Sequence, residues 1–150
     1  MVVFNIRRAL YANTLTASGV ANRWNKDDEF VIYTGGSIAL ATLELVAHRS
    51  GIHTTIPYKL LRIGIEANEN DITSIPLSAL PPHWKSIAAY PDLEEMSSEW
   101  YRSFRSLVLQ VPSSLVQWEP NYLINTRHPD FARKVFIISV EDFEWDNRLL

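Results

Sequence analysis

The 150-residue sequence contains no cysteine. That excludes disulfides and thiolate metal sites and is compatible with a reducing compartment. Glycine is also scarce, with five residues. The one glycine pair, in Thr34-Gly35-Gly36-Ser37, has neither the spacing and lysine of a Walker loop nor the GxGxxG pattern of a dinucleotide fold. There is no basic cluster: 14 Lys and Arg stand against 17 Asp and Glu, a net charge of −3. This argues against a surface for nucleic acid, which needs clustered cations. No run approaches the ~20 apolar residues of a membrane helix. The N-terminus, Met1 to Arg8, lacks the apolar core and cleavage site of a signal peptide. A cytoplasmic protein is the expectation. The four histidines, at 48, 53, 83 and 128, form no HExxH or paired-ligand motif, so no metal site is expected. Ser113-Ser114 is not embedded in a GxSxG elbow.

What is present is a substantial core. Hydrophobic residues make up 47% of the chain and five are tryptophans. A chain of this length reads as one domain, residues 1–150, able to bury roughly two-thirds of its surface. Strands are predicted at Val2 to Ile6, Phe30 to Tyr33, Tyr58 to Ile65, Leu107 to Val111, Asn121 to Asn125 and Val135 to Val140, with a further short one at Leu115-Val116. Helices are predicted from Ile38 to Ala47, closed by Arg49-Ser50-Gly51, and from Glu94 to Phe104, where Met96, Trp100, Tyr101 and Phe104 repeat at helical spacing. Tyr11 to Asn22 reads as loop or short helix, Asn68 to Asp71 as a polar turn, and His128 to Phe131 as a turn opening a short helix. Strands and helices do not alternate regularly. The predicted class is therefore α+β, a single compact domain with mixed, mostly antiparallel strands and few helices.

The chain is organised around residues 23 to 48. Arg23-Trp24-Asn25 precedes the strand ending at Tyr33, and Ser37 is placed to cap the helix that carries Glu44. That helix is apolar on nearly all sides, a pattern that marks a buried helix. A carboxylate in such surroundings must be hydrogen-bonded or paired. Two readings follow: a carboxylate that points to a polar edge or to a structural arginine, or one held in a cleft for chemistry. His48, four residues on, is within reach of a hydrogen bond to Glu44.

Several blocks in order over almost the whole chain resemble one family, the RES domain, named for its Arg, Glu and Ser. They include Tyr11-Ala12, Ser18 to Ala21, Arg23-Trp24-Asn25, Val31 to Thr34, Leu43-Glu44, His48, Leu80-Pro81, Trp84, Val111-Pro112-Ser113, Asn121 to Asn125, His128 to Phe131 and Asp146 to Leu149. The resemblance implies toxins of bacterial toxin–antitoxin pairs that degrade NAD by phosphorolysis or hydrolysis on an ADP-ribosyltransferase-like fold. It implies no cofactor beyond NAD as substrate, with inorganic phosphate or water as acceptor. It also implies an Xre-type helix-turn-helix antitoxin as partner, no direct contact with nucleic acid or membrane, and assembly into larger complexes that can include a homo-oligomer.

Carried over residue by residue, the family's Arg, Tyr, Glu and Ser fall on Arg23, Tyr33, Glu44 and Ser113. The implied roles are a guanidinium on the diphosphate for Arg23, a stacking ring for Tyr33, a carboxylate beside the ribose for Glu44, and a hydroxyl donor to a phosphate oxygen for Ser113. Asn121, Asn125, His128, Asp146 and Arg148 are expected to be scaffold. The chain departs from the family where an Arg-Ile is usual, having Asn5-Ile6 followed by Arg7 and Arg8, and where a double glycine usually precedes Arg-Trp-Asn, having Ala21-Asn22. The alternatives are transfer of ADP-ribose to a macromolecule, and an NAD-binding module without catalysis.

Overall fold

A computed structural model of the chain describes residues 1–48 and 55–149. One seven-stranded sheet runs through it in the order β4-β5-β6-β2-β1-β3-β7. The strands are β1 (Val2–Arg8), β2 (Val31–Gly35), β3 (Tyr58–Ile65), β4 (Ile72–Ser74), β5 (Val108–Pro112), β6 (Pro120–Asn125) and β7 (Val135–Phe143). Every neighbouring pair is antiparallel except β4 with β5. Among the described residues three α-helices join them, α1 (Ile38–Ala47), α2 (Tyr90–Ser103) and the single turn α3 (Phe131–Lys134), with short 3-10 turns between. The α+β class is as expected, with its mixed, mostly antiparallel sheet. Among the described residues no helix is long and apolar enough to cross a membrane.

Alternation along the strands sends side chains to two faces of the sheet. One face carries Val3, Ile32, Leu61, Ile63, Val108 and Ile124 into a core cluster of their own. On the other, α2 packs Leu93 and Trp100 against Val31, Leu109, Val111 and Leu123. Further along that second face, α1 sets Ala41 against Ile6, Tyr58 and Leu60. The register places Phe4 beside Gly35 and Gly35 beside Asn121. The residues under the α1 end of this face therefore come from β1, β2 and β6.

Several elements differ from the sequence expectation. α2 begins at Tyr90, one turn before Glu94, because Pro91 sits in the first turn, where a missing N–H costs nothing. β4 occupies the residues after the Asn68–Asp71 turn as a three-residue edge strand. Leu115 and Val116 form no strand. They lie in the connection between β5 and β6, which closes through Ser113 N–H to Glu119 O and Glu119 N–H to Val116 O, and Leu115 is exposed. The helix expected to be buried all round lies on the surface: Leu40 and Ala41 are buried, while Ala39 and Leu43 face outward. A ten-residue helix on one sheet face covers only the side it presents to that face. The cap expected at Arg49-Ser50-Gly51 lies outside the described residues.

Candidate active site

β1 and β2 are sheet neighbours but share one register position, Phe4 with Gly35, whereas β1 and β3 are paired over seven. Towards Asn5 the two strands part. In place of a continuous ladder, the Asn5 side-chain Nδ2–H donates to the Tyr33 carbonyl at 2.8 Å. A cleft of about 160 Å³ opens at this split. Its walls are Phe4, Asn5 and Ile6 of β1, Tyr33, Thr34 and Gly35 of β2, Asn121 of β6, and Ala41, Glu44, Leu45 and His48 of α1, with Asn22 at one side.

Glu44 reaches this cleft because α1 starts abruptly. The Ser37 hydroxyl accepts from Leu40 N–H at 3.1 Å, the cap expected from sequence. Gly35 lets the first turn press onto β2: a Cβ there would stand 2.8 Å from the Ala41 backbone nitrogen. Two neutral donors then fall on one oxygen of the carboxylate. Ser113 Oγ–H donates to Oε1 at 2.7 Å, and Asn121 Nδ2–H donates to the same Oε1 at 2.6 Å. No arginine or lysine among the described residues pairs with Glu44. Oε2 is left with no partner among the described residues. Half-buried and fixed through one oxygen, the carboxylate offers the other to a donor in the cleft.

The other residues singled out from sequence take different places. Ser113 is fully buried and does not line the cleft. Its oxygen accepts from the Leu115 and Val116 N–H groups, both at 3.1 Å, and its single proton goes to Glu44. A hydroxyl with that proton committed is not free to donate to a phosphate, so in this structure Ser113 serves the carboxylate instead. Tyr33 lines the cleft, and its phenol points to the Arg23–Asn25 turn, accepting from Trp24 N–H at 3.1 Å and donating to Asn25 Oδ1. Burial pushes the Tyr33 phenol far above its ordinary pKa, against the opposing effects of the Trp24 N–H and Arg23. It is therefore a neutral ring and donor, not a base.

Arg23 does not line the cleft, though its neighbour Asn22 does. Its guanidinium donates to the carbonyls of Trp84 at 2.8 Å and Lys85 at 3.2 Å and lies over the Tyr90 ring, 4.8 Å from its centre. These are neutral partners, so the cation meets no carboxylate there. The expected grip on a diphosphate is not formed by this placement alone. Trp24 is core, and Asn25, almost fully buried, ties the turn together by donating to the Val20, Lys26 and Glu29 carbonyls.

His48 lines the cleft at the end of α1, and Glu44 takes its hydrogen bonds from Ser113 and Asn121. Of the residues expected to be scaffold, Asn125, His128, Asp146 and Arg148 hold backbone turns. Asn121 does not: it is a donor to Glu44, and its Oδ1 is buried with no partner among the described residues. Sequence reasoning met Asn5 only as a departure from the family pattern and gave it no place in the site. Among the described residues, no cluster of three or more His, Asp or Glu side chains is placed to hold a metal ion.

The model of the RES domain matches residues 3–146. The chain is 33% identical over 147 residues to "Toxin Res" of Yersinia enterocolitica, covering 96% of this chain and 95% of that one. It is 31% identical over 150 residues to the "Prs ADP-ribosylating toxin" of a Sphingobium species, covering 95% and 91%. Among solved structures, the M. tuberculosis MbcT-MbcA toxin–antitoxin complex contains a chain of the same fold, with a TM-score of 0.72 at 14% identity over 95% of this chain and 84% of that one. A family model spanning nearly every residue, together with relatives matched end to end, shows that this chain belongs to the RES domain family.

Proposed function

We propose that this protein is a toxin that consumes NAD by breaking the bond between nicotinamide and ribose, held in check by an antitoxin protein of the Xre type. The observation that carries the chemistry is the Glu44 carboxylate, pinned at Oε1 by Ser113 and Asn121 and open at Oε2 towards the cleft between β1 and β2. The names of the relatives and the antitoxin in the fold neighbour support the toxin reading.

In the reaction the C1′–N bond of the nicotinamide ribose breaks. The electron pair leaves on the pyridinium nitrogen as neutral nicotinamide, and C1′ acquires oxocarbenium character. A carboxylate accepting from a ribose hydroxyl strengthens its hold as that positive charge grows, the arrangement that assists glycoside cleavage. Water or phosphate then forms the new bond to C1′, and its proton passes to solvent. Tyr33 supplies a neutral ring at the wall. Ser113 acts through Glu44, keeping its carboxylate turned. Arg23 is held by the carbonyls of Trp84 and Lys85 and would have to give up both to meet a diphosphate.

Purified protein incubated with NAD tests this. Nicotinamide with ADP-ribose 1″-phosphate means phosphorolysis, and nicotinamide with free ADP-ribose means hydrolysis. Glu44→Gln should keep the fold and lose about 100-fold or more in turnover, the scale of a lost transition-state contact. Full activity in that variant would remove Glu44 from the mechanism. A second reading, transfer of ADP-ribose to a macromolecule, is favoured by the Sphingobium relative. Label from adenylate-labelled NAD appearing on protein or another macromolecule would support it.

A further inference from the structure

The cleft beside Glu44, at about 160 Å³, is smaller than the roughly 300–1,000 Å³ of sites that enclose a drug-sized ligand. A dinucleotide cannot be contained in it. A second groove of about 540 Å³ begins on the far side of Asn5, which lines both. Arg7 stands in this groove, with Tyr11, Thr16 and Ser18 around it.

Arg7, like Arg23, meets no carboxylate among the described residues. Arg62, Arg102, Arg105, Arg133 and Arg148 each face a carboxylate. Arg7 is half-buried and, among the described residues, has neutral acceptors only. Its Nε–H donates to Asn5 Oδ1 at 2.6 Å. Its Nη1 makes three long contacts, to the carbonyls of Tyr11 at 3.4 Å and of Thr14 and Thr16 at 3.3 Å. Nη2 has no partner among the described residues. Burial pulls the guanidinium below its ordinary pKa, and no nearby anion opposes that. A covered cation without a counter-ion is a costly arrangement that an anion would relieve.

Asn5 joins the two spaces. Its Nδ2 is bound to the Tyr33 carbonyl and its Oδ1 to Arg7, so the amide cannot turn over without facing like groups on both sides. The cation is thereby held at a defined distance from the cleft wall.

We infer that the groove around Arg7 is an oxyanion subsite that takes the diphosphate of a dinucleotide whose ribosyl end lies in the Glu44 cleft. This deepens the proposed function and rests on it. The planar fork of the guanidinium, with Nη2 free, suits two phosphate oxygens.

The test compares Arg7→Gln and Arg7→Lys with wild type on NAD and on nicotinamide riboside, which lacks the diphosphate, and titrates ADP-ribose calorimetrically. Arg7→Gln should lower kcat/KM for NAD at least tenfold more than for nicotinamide riboside, chiefly through KM, and weaken ADP-ribose binding by about 10- to 100-fold. Arg7→Lys, which keeps the charge and loses the fork, should fall between the two and serves if the Gln variant does not fold. Equal loss on both substrates would make Arg7 a tether of the 11–16 loop and overturn the inference, as would an unchanged KM for NAD. A raised requirement for inorganic phosphate with an unchanged KM for NAD would assign the groove to the acceptor and overturn the diphosphate assignment. If wild type neither cleaves NAD nor binds ADP-ribose, the proposed function falls as well.

Discussion

Ser113 shows how much one buried hydroxyl can be asked to do. Its oxygen receives two backbone N–H groups of the β5–β6 connection and gives its proton to Glu44. Ser113→Ala removes all three bonds and leaves two donors to find water. It should cost about 1–3 kcal/mol of stability, read as a lower melting temperature, and about tenfold or more in kcat, because Oε1 keeps a single donor. Asn121 poses a cleaner question, since it is nearly isosteric with aspartate. Asn121→Asp places a second carboxylate against Glu44, and two carboxylates sharing a site do not both ionise readily. The acid limb of the activity profile should therefore move to higher pH. A profile unchanged in shape would mean that Glu44 need not be ionised for turnover.

At the scale of the element, the position of α1 is set by Gly35. From sequence, Thr34-Gly35-Gly36 reads as a strand breaker. In the fold, Gly35 is the last residue of β2, paired with Asn121 on one side and Phe4 on the other, and its missing side chain is what lets α1 close down. Added atoms would meet helix backbone, which cannot swing aside as an exposed ring can. Gly35→Ala should cost about 1–3 kcal/mol, the usual range for overpacking. It should also reduce activity beyond that loss of stability, because the helix that moves carries Glu44. Denaturant unfolding alongside kcat for the folded fraction separates the two effects. The hydrophobic pattern of α1 misled in the opposite direction. Its apolar residues suggested burial on all sides, yet Leu43 is exposed, since among the described residues a sheet lies beneath the helix and no layer above it.

Across the whole molecule, the chain passes from β3 to β4 at the far edge of the sheet and later returns to β7 at the other edge. Asp71, just before β4, and Lys134, just before β7, meet with Nζ donating to both carboxylate oxygens at 2.9 and 2.7 Å. Both side chains are about nine-tenths covered, with 12% of Lys134 and 9% of Asp71 exposed. Burial raises the Asp71 pKa, but Lys134 and the Asn68 N–H outweigh it, and the carboxyl is held below the usual range. A carboxyl with a depressed folded pKa adds stability that is fully present above its unfolded value of about 3.9 and lost as pH falls through the folded value. Asp71→Asn should therefore destabilise at neutral pH by about 3–5 kcal/mol, the cost of leaving a covered charge unpaired. Its disadvantage relative to wild type should shrink in strong acid. Melting curves from pH 7 down to pH 2 would show the two proteins converging, and parallel curves would contradict the assignment.

The α+β class, the limits of α1 and its Ser37 cap, and most strands can be read along the chain, because each depends on neighbours within one turn or one strand. The family, too, is written in the order of its short blocks, Glu44 among them. The partners of Glu44 are not local: Ser113 and Asn121 lie 69 and 77 residues away, and only the β2–β6 register and the β5–β6 turn bring them to α1. The groups that accept from Arg23 and Ser113 are also distant in sequence, and a side chain's hydrogen bonds are settled by whatever the fold places beside it. The split between β1 and β2, with Asn5 bridging it and Arg7 beyond, belongs wholly to tertiary structure. A cleft arises where two strands cease to pair, and neither strand carries that information alone.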